Sequence, residues 1–417
     1  MTIQAVRGTR DVLPEEVGAW HALEDAARRL FPRYGYREIR TPVFEETELF
    51  ARGIGAETDI VAKEMYTFAD RDGGSLTLRP EATAGIVRAV IEHNLMGTDP
   101  ALKVYAVGPM FRRERPQKGR YRQFHQVDVE AFGYQSPTID AETIELALAY
   151  LDACGVGQHE LVLNSVGDRH CRPAYVERLR RSLRDAAPSM CADCRRRAET
   201  NPLRVLDCKV PGDQAVIDAL PRITDHLCPE CAEHFAEVRR QLDLLGIPYR
   251  LSHRLVRGLD YYVRTTFEVT SDRLGSQSSV IGGGRYDGLV KDLGGPDAAG
   301  VGFAVGMERL ALLVPSAGGR ARCDVFLMPV AKAALDPALR LQRELRRAGV
   351  ATMLDPEERS FKSRMKQADK LGARFVAILG DDEMARGAWT VRDMARSEQQ
   401  DVPEERILEY LKEKANG

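Results

Sequence analysis

The chain has 417 residues, enough for two or three domains that each bury a core of their own. Its composition, 44% hydrophobic and 29% charged, is typical of a globular protein, and no apolar run is long enough to span a membrane. The formal net charge of −2 argues against indiscriminate binding to nucleic acid, DNA included, so any contact with RNA must come from local basic patches.

The amino terminus predicts a cytoplasmic protein, because residues 1–12 lack the apolar core of a signal peptide. Residues 15–30 carry apolar side chains at helical spacing, and Pro32 stops this helix. Residues 39–42 then have the composition of a strand. A central position in a sheet would reject Pro42, so we expect this strand at an edge or a bend.

Residues 65–78 predict a β-hairpin, since two strand-like runs flank the turn sequence DRDGG. The hairpin delivers Glu81, Ala82 and Thr83 to the start of a helix that should end near His93. Taken alone, Glu81 and Thr83 could be no more than helix-capping residues.

Residues 103–133 predict two strands joined by a basic loop. The second strand alternates between apolar positions, which pack, and an available polar face that includes Gln126 and Glu130. The loop at residues 112–122 holds six cationic side chains against the single Glu114, a composition that suits phosphate binding. A solvated hairpin tip is the alternative interpretation.

The sequence GPMFRRERPQKGRYRQFHQ within this stretch, followed by a polar-faced strand ending in Glu, resembles the second signature motif of class II aminoacyl-tRNA synthetases. In particular it is similar to the histidyl-tRNA synthetase family. The resemblance implies that Arg112 is catalytic and binds ATP together with Glu114. It also places Gln117 and Arg120 in a loop that contacts the acceptor end of tRNA.

The same resemblance assigns roles to two earlier segments, residues 81–83 and the segment around Pro42. Glu81, Ala82 and Thr83 match a Glu-x-Thr segment that contacts the amino acid substrate, and many relatives have glycine at the position of Ala82. The segment around Pro42 resembles the first class II motif, which lies at a dimer interface, so the resemblance implies a homodimer.

Residues 169–248 change in character to many arginines and glutamates at helical spacing, and resemble the helical insertion of histidyl-tRNA synthetases. Four of the eight cysteines lie there as two CxxC pairs, Cys191 with Cys194 and Cys228 with Cys231. The four could hold Zn²⁺ in one tetrahedral site. However, 33 residues separate the pairs and Cys208 lies between them, so ordinary reduced thiols remain an equal alternative.

Three later segments belong to the same family pattern. RGLDYY at residues 257–262, followed by TTFEV, is characteristic of histidyl-tRNA synthetases, although a tyrosine pair by itself more often indicates packing. GGGRYDG at residues 282–288 belongs to the same set and does not fit a dinucleotide fingerprint. GVGFAVGMERL at residues 300–310 resembles the third class II motif, in which the arginine, here Arg309, stacks on adenine.

Beyond a loop at residues 315–322, strands and helices alternate as β-α-β-α-β, which predicts a small α/β domain with a parallel or mixed sheet. Residues 340–374 contain ten Lys or Arg against five Asp or Glu, a modest basic face or simply a solvated one. By resemblance this is an anticodon-binding domain. We therefore divide the chain into a catalytic domain at 1–320, containing the insertion, and an anticodon-binding domain at 321–417.

The resemblance implies an α+β fold, with a class II catalytic domain built on an antiparallel sheet. It also implies a reaction in which L-histidine and ATP form histidyl-adenylate and pyrophosphate, followed by transfer of histidine to the 3′ end of tRNA-His. Mg²⁺ should accompany the ATP phosphates.

Attack of the histidine carboxylate on the α-phosphorus brings two negative groups together, so fixed cations must hold both. Arg112 and Arg257 are the candidates, since a guanidinium can grip phosphate or carboxylate through two hydrogen bonds.

Selection of histidine requires polar partners for both ring nitrogens. The residues suited to this task are Glu130, Tyr261 and Tyr262. Gln126 lies four residues before Glu130 on the same strand face, about 13 Å away in an extended chain, and could meet the α-carbon end. Glu81 and Thr83 would complete the amino-group site.

Two other functions compete with ligation. One is a regulatory paralogue that partners the first enzyme of histidine biosynthesis and does not aminoacylate. Such paralogues generally lack the anticodon domain and lose catalytic residues, whereas this chain keeps its carboxy-terminal domain, Arg112 and RGLDYY. The other, an RNA-binding module without catalysis, gives no reason to keep a histidine pocket.

Overall fold

The computed structural model describes residues 2–55, 58–314, 323–357 and 359–416, and the chain divides into two compact units, 1–315 and 316–417. The loop interpreted from sequence as a domain boundary, at 315–322, lies outside the described residues. Within the described ranges, no helix has the length and apolar character needed to cross a membrane.

The first unit combines a large sheet, a small sheet and surrounding helices. Its described strands are β1 (Arg37–Glu38), β2 (Phe44–Glu46), β3 (Tyr66–Ala69), β4 (Ser75–Leu78), β5 (Lys103–Phe111), β6 (Gln123–Phe132), β7 (Glu160–Ser165), β8 (Arg250–Leu251), β9 (Val263–Thr270), β10 (Ser279–Arg285) and β11 (Gly300–Gly306). Its described α-helices are α1 (Pro14–Leu30), α2 (Thr47–Ile54), α3 (Thr83–Glu92), α4 (Leu95–Thr98), α5 (Thr138–Ala153), α6 (Arg172–Ala186), α7 (Ala192–Thr200), α8 (Gln214–Asp218), α9 (Pro229–Leu244), α10 (Leu289–Asp292) and α11 (Met307–Ala311).

The large sheet has the strand order β1-β5-β6-β11-β10-β9-β7-β8. Its six inner strands are antiparallel, as predicted, whereas the two-residue edge strands β1 and β8 pair in parallel and make the sheet mixed. Apolar residues of β6, among them Val127 and Val129, pack with α1 and α5 in the main hydrophobic core. Because side chains alternate along a strand, the polar residues of β6 face the opposite side.

A buried charge cluster ties α5, α9 and β10 together. Arg285 and Asp140 are both fully buried, with Nη2 and Oδ2 2.5 Å apart, and His234 Nε2 lies 3.2 Å from Asp140 Oδ1. Burial alone would raise the pKa of Asp140, but the adjacent Arg285 and His234 outweigh it and hold that pKa below its ordinary value. The ion pair therefore stays charged inside the core.

The strand predicted at residues 39–42 is wrong, because β1 ends at Glu38 and β2 begins at Phe44. The Ile39 amide still donates to the Tyr105 carbonyl, but the Thr41 carbonyl accepts from the side chain of Arg79 instead of from a strand. Pro42 therefore lies in the connection between two sheets. The hairpin predicted next is confirmed as β3 and β4, which join β2 in a three-stranded sheet.

The insertion is helical in the described chain, and α6 to α9 lie between β7 and β8. Its small hydrophobic core includes Tyr175, Leu179, Cys194 and Cys208.

The second unit is an α/β domain with a mixed sheet. Its described elements are β12 (Val325–Pro329), α12 (Leu335–Arg347), β13 (Thr352–Leu354), α13 (Phe361–Lys370), β14 (Phe375–Leu379), α14 (Asp381–Ala385), β15 (Ala388–Asp393), β16 (Gln399–Pro403) and α15 (Ile407–Asn416). The predicted β-α-β-α-β order is confirmed for β12 to β14, which run parallel. β15 and β16 extend the sheet in antiparallel fashion.

Candidate active site

A cavity of about 560 Å³ lies over the polar side of β6. Most of the site residues predicted from sequence line it, namely Glu81, Thr83, Arg112, Glu114, Arg120, Gln126, Glu130, Arg257, Tyr261, Tyr262 and Arg309. Ala82 and Gln117 are not among its lining residues. Ala82 is fully buried just before α3, and Gln117 lies in the basic loop.

The polar face of β6 is less open than predicted, because Gln126, Asp128 and Glu130 are all buried. Among the described residues, neither Gln126 Oε1 nor Asp128 Oδ2 has a hydrogen-bond partner. Burial and the nearby Glu81 raise the pKa of Asp128 well above its ordinary value. Unpaired buried polar atoms are costly, so these two are suited to bind a polar ligand.

Glu130 is held from two sides. Its carboxylate accepts hydrogen bonds from Thr83 Oγ1 at 2.5 Å and from the hydroxyl of Tyr286. Burial raises the pKa of Glu130 to about 8. Gly302 on β11 is directly opposite, where a Cβ atom would lie 2.0 Å from Glu130 Oε2, so only glycine leaves room for this carboxylate.

Glu81 caps α3 while it faces the cavity. Its carboxylate oxygens accept hydrogen bonds from the backbone N–H groups of Thr83 and Ala84, both at 2.9 Å. The capping interpretation therefore holds for Glu81, whereas the hydroxyl of Thr83 donates to Glu130 instead. Capping by Glu81 is compatible with a ligand site, because both residues line the cavity. Burial raises the pKa of Glu81.

Three tyrosine rings form one wall. The rings of Tyr261 and Tyr262 are 4.9 Å apart, and Tyr286 meets Tyr261 edge to face at 5.6 Å. Tyr286 was missed as a site residue in the sequence. Its signal was the GRYDG motif directly after the glycine run, which places it at the end of β10 beside Glu130.

Arg257 reaches the cavity through a gap made by a glycine. Its Nη1 donates to Glu268 Oε2 at 3.4 Å, and its guanidinium lies 5.9 Å from the centre of the Tyr262 ring. A Cβ atom at Gly282 would lie 1.7 Å from Arg257 Nη2. Within the described chain Arg257 Nε has no hydrogen-bond partner. The glycine run therefore opens the sheet surface for this arginine.

Arg112 is fixed at the base of the basic loop. Its Nε donates to the Pro80 carbonyl at 2.7 Å, and its guanidinium lies 5.3 Å from the centre of the Phe124 ring. Glu114 carries an ion pair with Arg120 at 3.1 Å, and Arg112 Nη1 approaches it to 4.0 Å. The loop thus presents its arginines around one carboxylate.

The tip of the loop is closed by backbone hydrogen bonds that Gln117 and Arg120 exchange in both directions. Arg309 at the start of α11 is anchored on two carbonyls, donating to Ser279 at 2.7 Å and to Gly119 at 3.3 Å. This leaves the guanidinium in a defined plane at the cavity wall, which suits stacking.

A bound Mg²⁺ would find hard oxygen ligands at Glu114 and Glu268, which line the cavity and pair with Arg120 and Arg257. Neither belongs to a cluster of three potential ligand side chains in the described chain. A Mg²⁺ ion here would therefore depend on nucleotide phosphates for further ligands.

The zinc site predicted at Cys191, Cys194, Cys228 and Cys231 is wrong as a single site. The two CxxC pairs begin different helices, α7 and α9, and belong to two separate ligand clusters. Cys208, which interrupts the spacing in the sequence, is a member of the first cluster.

Comparisons of the sequence and of the structure with known proteins find the same family. A family model described as histidyl-tRNA synthetase matches residues 8–310, and one described as an anticodon binding domain matches 324–414. The histidine–tRNA ligase of Solibacter usitatus is 52% identical over 415 residues, which cover 99% of this chain and 100% of that protein.

Solved structures show the same likeness. The crystal structure of apo S. aureus histidyl-tRNA synthetase matches with a TM-score of 0.81 at 38% identity, covering 99% of this chain and 100% of the other. A Bacillus halodurans structure described as an ATP phosphoribosyltransferase regulatory subunit/histidyl-tRNA synthetase has a TM-score of 0.68 at 20% identity, covering 91% and 99%. At that identity the likeness shows the fold alone.

Proposed function

The chain belongs to the histidyl-tRNA synthetase family, and we propose that the cavity in its first unit serves both steps of an ATP-dependent histidine–tRNA ligation. In the first step, L-histidine and ATP give histidyl-adenylate and pyrophosphate. In the second, the histidyl group moves to the 3′ end of tRNA-His. The observation that carries this proposal is the meeting of buried carboxylates, tyrosines and six arginines from distant segments around one cavity.

The histidine side chain is bound by Glu130, Tyr261 and Tyr262. The carboxyl group of Glu130 is held in one orientation by Thr83 and Tyr286, so it can receive a ring N–H without further ordering. An isostere that lacks the ring nitrogens would leave the polar groups of this pocket without partners, so the pocket rejects it.

The α-amino group is bound by Glu81, Thr83 and Gln126, and Ala82 is the small buried residue between the first two. The unpaired Gln126 Oε1 supports this role, because it gains a donor only when ligand is present. A protonated amine also offsets the charge of Glu81.

Arg257 and Arg112 stabilise the charge that develops when the histidine carboxylate attacks the α-phosphorus. Both guanidiniums are fixed by contacts with the protein before the ligand arrives, so little reorganisation accompanies the reaction. Mg²⁺, when bound to the nucleotide phosphates near Glu114, supplies additional charge neutralisation.

Arg309 stacks on the adenine, and Gln117 and Arg120 contact the acceptor end of tRNA-His. The anchored guanidinium of Arg309 supports the first role. For the loop, the support is its cationic composition and its position beside the cavity.

A regulatory paralogue without catalysis is not supported. The chain keeps the segment matched by the anticodon binding model, and its full length aligns with a histidine–tRNA ligase at 52% identity. Arg112 and Arg257 are both present and face the same cavity.

We also propose a homodimer in the cytoplasm, where tRNA is charged for protein synthesis. Phe44 on β2 and Phe68 on β3 are both exposed large apolar residues. They lie opposite Leu78 and Leu76 of β4, which places them on one face of the small sheet. This face adjoins the segment around Pro42, which supports an interface there.

Incubation of the chain with ATP, Mg²⁺, labelled histidine and a tRNA-His transcript tests the function. We expect label to become attached to the 3′ end of this transcript and not to a transcript for another amino acid. Failure to charge tRNA-His under conditions where a known ligase does so would contradict the proposal.

A further inference from the structure

Two clusters of potential metal ligands lie at the start of the insertion and within it, and the proposed ligation assigns no role to either. Each contains three cysteines and one aspartate whose ligand atoms all lie within 4.8 Å of one another. We call them centre A (Cys191, Cys194, Cys208 and Asp213) and centre B (Asp168, Cys171, Cys228 and Cys231).

Centre A is built from the start of α7 and the loop that follows it. The sulfur atoms of Cys191 and Cys208 are 3.9 Å apart, and Cys208 Sγ lies 3.3 Å from Asp213 Oδ2. The Asp213 carboxylate is oriented by the backbone N–H of Cys191, at 3.1 Å and 3.3 Å from its two oxygens. Cys194, Cys208 and Asp213 are buried.

Centre B joins the starts of α6 and α9. Asp168 and Cys171 form a D-x-x-C pair before α6, and Cys228 and Cys231 form a C-x-x-C pair at α9. Asp168 Oδ1 lies 3.6 Å from Cys171 Sγ and 3.9 Å from Cys228 Sγ. Gly167 turns the chain beside this cluster, where a Cβ atom would lie 2.7 Å from Cys171 Sγ.

We propose that centre A and centre B each bind one Zn²⁺ ion, so that the insertion is held together by two structural metal sites. Three thiolates and a carboxylate form a four-ligand set that suits tetrahedral Zn²⁺, and Mg²⁺ or Ca²⁺ would prefer oxygen ligands alone. Four protein ligands leave no open position, so both sites are structural rather than catalytic.

Two observations favour a metal over disulfide bonds. Each centre contains an odd number of cysteines, so pairing within a centre would leave one thiol over. Each centre also places a carboxylate oxygen within 4.8 Å of its sulfur atoms, which supplies a fourth ligand atom and would have no part in a disulfide bond. A Zn²⁺ ion uses all four groups in both centres.

The position of the two centres explains what the metals do. Centre B fastens α6, where the chain enters the insertion, to α9, where it leaves. Centre A fastens α7 to the following loop, and its Cys191 and Cys208 line the large cavity. The insertion has a small hydrophobic core, and small cores commonly need metal or disulfide cross-links for stability.

The test is metal analysis of the full chain, expressed with added zinc and purified without chelator. We expect about two zinc ions per chain. Cys194→Ser should remove the ion of centre A and Cys231→Ser that of centre B, so each variant keeps about one zinc ion, and the double variant keeps none. Cys154→Ser and Cys323→Ser, which change cysteines outside both centres, should keep both ions.

The test depends on whether the two serine variants lose their zinc ions independently. A single ion that disappears in both Cys194→Ser and Cys231→Ser would indicate one shared site and overturn the proposal, as would wild-type protein without bound zinc or with iron instead.

If a serine variant does not fold, wild-type protein reconstituted with Co²⁺ gives the same information. Absorption from tetrahedral cobalt bound to thiolates should saturate at about two equivalents. Saturation at one equivalent, or an octahedral spectrum, would contradict two such sites.

Discussion

Glu130 illustrates how its neighbours prepare one carboxyl group for binding. It is buried, its orientation is fixed by Thr83 and Tyr286, and burial raises its pKa to about 8. Glu130→Gln keeps the size of the side chain but can no longer ionise when it accepts the ring N–H. We expect histidine affinity to fall by on the order of 1.5–3 kcal/mol, the contribution of a charge-assisted hydrogen bond, with a smaller effect on ATP.

Calorimetric titration of each ligand measures this difference, with Glu160→Gln, an exposed carboxylate paired with Arg250, as the matched control. Unchanged histidine affinity with weakened ATP binding would show that the pocket is oriented the other way.

Because the pKa of Glu130 is raised on folding, its contribution to stability is present at low pH and is lost as pH rises toward about 8. Without ligands, wild type should therefore lose thermal stability relative to Glu130→Gln as pH rises through neutrality.

Arg257 carries the clearest catalytic expectation. A cation fixed where carboxylate meets α-phosphate stabilises the transition state more than the ground state. Arg257→Ala should slow adenylate formation by ~10²–10³-fold at saturating substrate. Arg257→Lys should restore only part of the rate, because an ammonium cannot bridge two acceptors with a planar fork.

Single-turnover adenylate formation, compared with transfer from preformed histidyl-adenylate, isolates this effect. Transfer should suffer less, since attack on the α-phosphorus is already complete. A defect confined to histidine affinity, with the adenylation rate at saturation unchanged, would reduce Arg257 to a binding residue.

At the scale of elements, we propose that the basic loop between β5 and β6 contacts the acceptor end of tRNA. Arg120 pairs with Glu114 at 3.1 Å and its side chain remains partly exposed. Arg120→Ala should slow transfer to tRNA while it spares adenylate formation. Pyrophosphate exchange and tRNA charging measure the two steps separately, and equal losses in both would assign Arg120 to the ATP site.

The buried cluster of Asp140, Arg285 and His234 fastens helices to the sheet. Asp140→Asn removes the fully buried partner of Arg285 and leaves the partly exposed Asp287 to offset its charge, so we expect a loss of up to about 3–5 kcal/mol, the usual effect of breaking a buried ion pair. Chemical denaturation of the first unit at neutral pH measures the loss, and Asp152→Asn, an exposed position on the same helix, should have little effect. A loss no larger than that control would contradict the structural role.

The same cluster gives a pH dependence of known sign. The pKa of Asp140 is lower in the folded chain than its ordinary value. Its stabilisation is therefore present above the unfolded pKa and is lost as pH falls through the folded pKa. This acid sensitivity should be weaker in Asp140→Asn.

Local patterns predict elements well where side-chain periodicity is strong. β5, β6 and the loop between them were predicted within residues 103–133, where the structure has them, because alternation leaves little choice. The strand at residues 39–42 failed, since Arg79, which is distant in sequence, takes up its carbonyl groups. Long-range partners of this kind leave no local signal.

The same limit applies to the sites. The polar side chains of β6, Asp128 among them, could be identified from alternation, whereas the place of Tyr286 beside Glu130 follows from the three-dimensional fold. In the insertion, the CxxC pairs were visible, but their actual neighbours, Asp168, Cys171 and Asp213, are ordinary residues in the sequence. Only the packing of α6, α7 and α9 brings them together.

For the whole molecule, the exposed apolar face of the small sheet leads to a prediction about assembly. Phe44→Glu would place a charge in the proposed interface, so we expect the chain to shift from dimer to monomer at micromolar concentration. Sedimentation measures the mass. The control Leu244→Glu changes an exposed leucine away from the small sheet and should leave the dimer intact. A wild-type chain that is already monomeric at that concentration would contradict the dimer.

This chain should activate histidine with ATP, and histidine-dependent exchange of labelled pyrophosphate into ATP tests that activity most directly. The reaction needs neither tRNA nor the second step, so it reports on the cavity alone. We expect exchange with wild type that requires histidine, is not supported by other amino acids, and is strongly reduced in Arg257→Ala. Absence of exchange in folded wild-type protein that binds both histidine and ATP would contradict the claim.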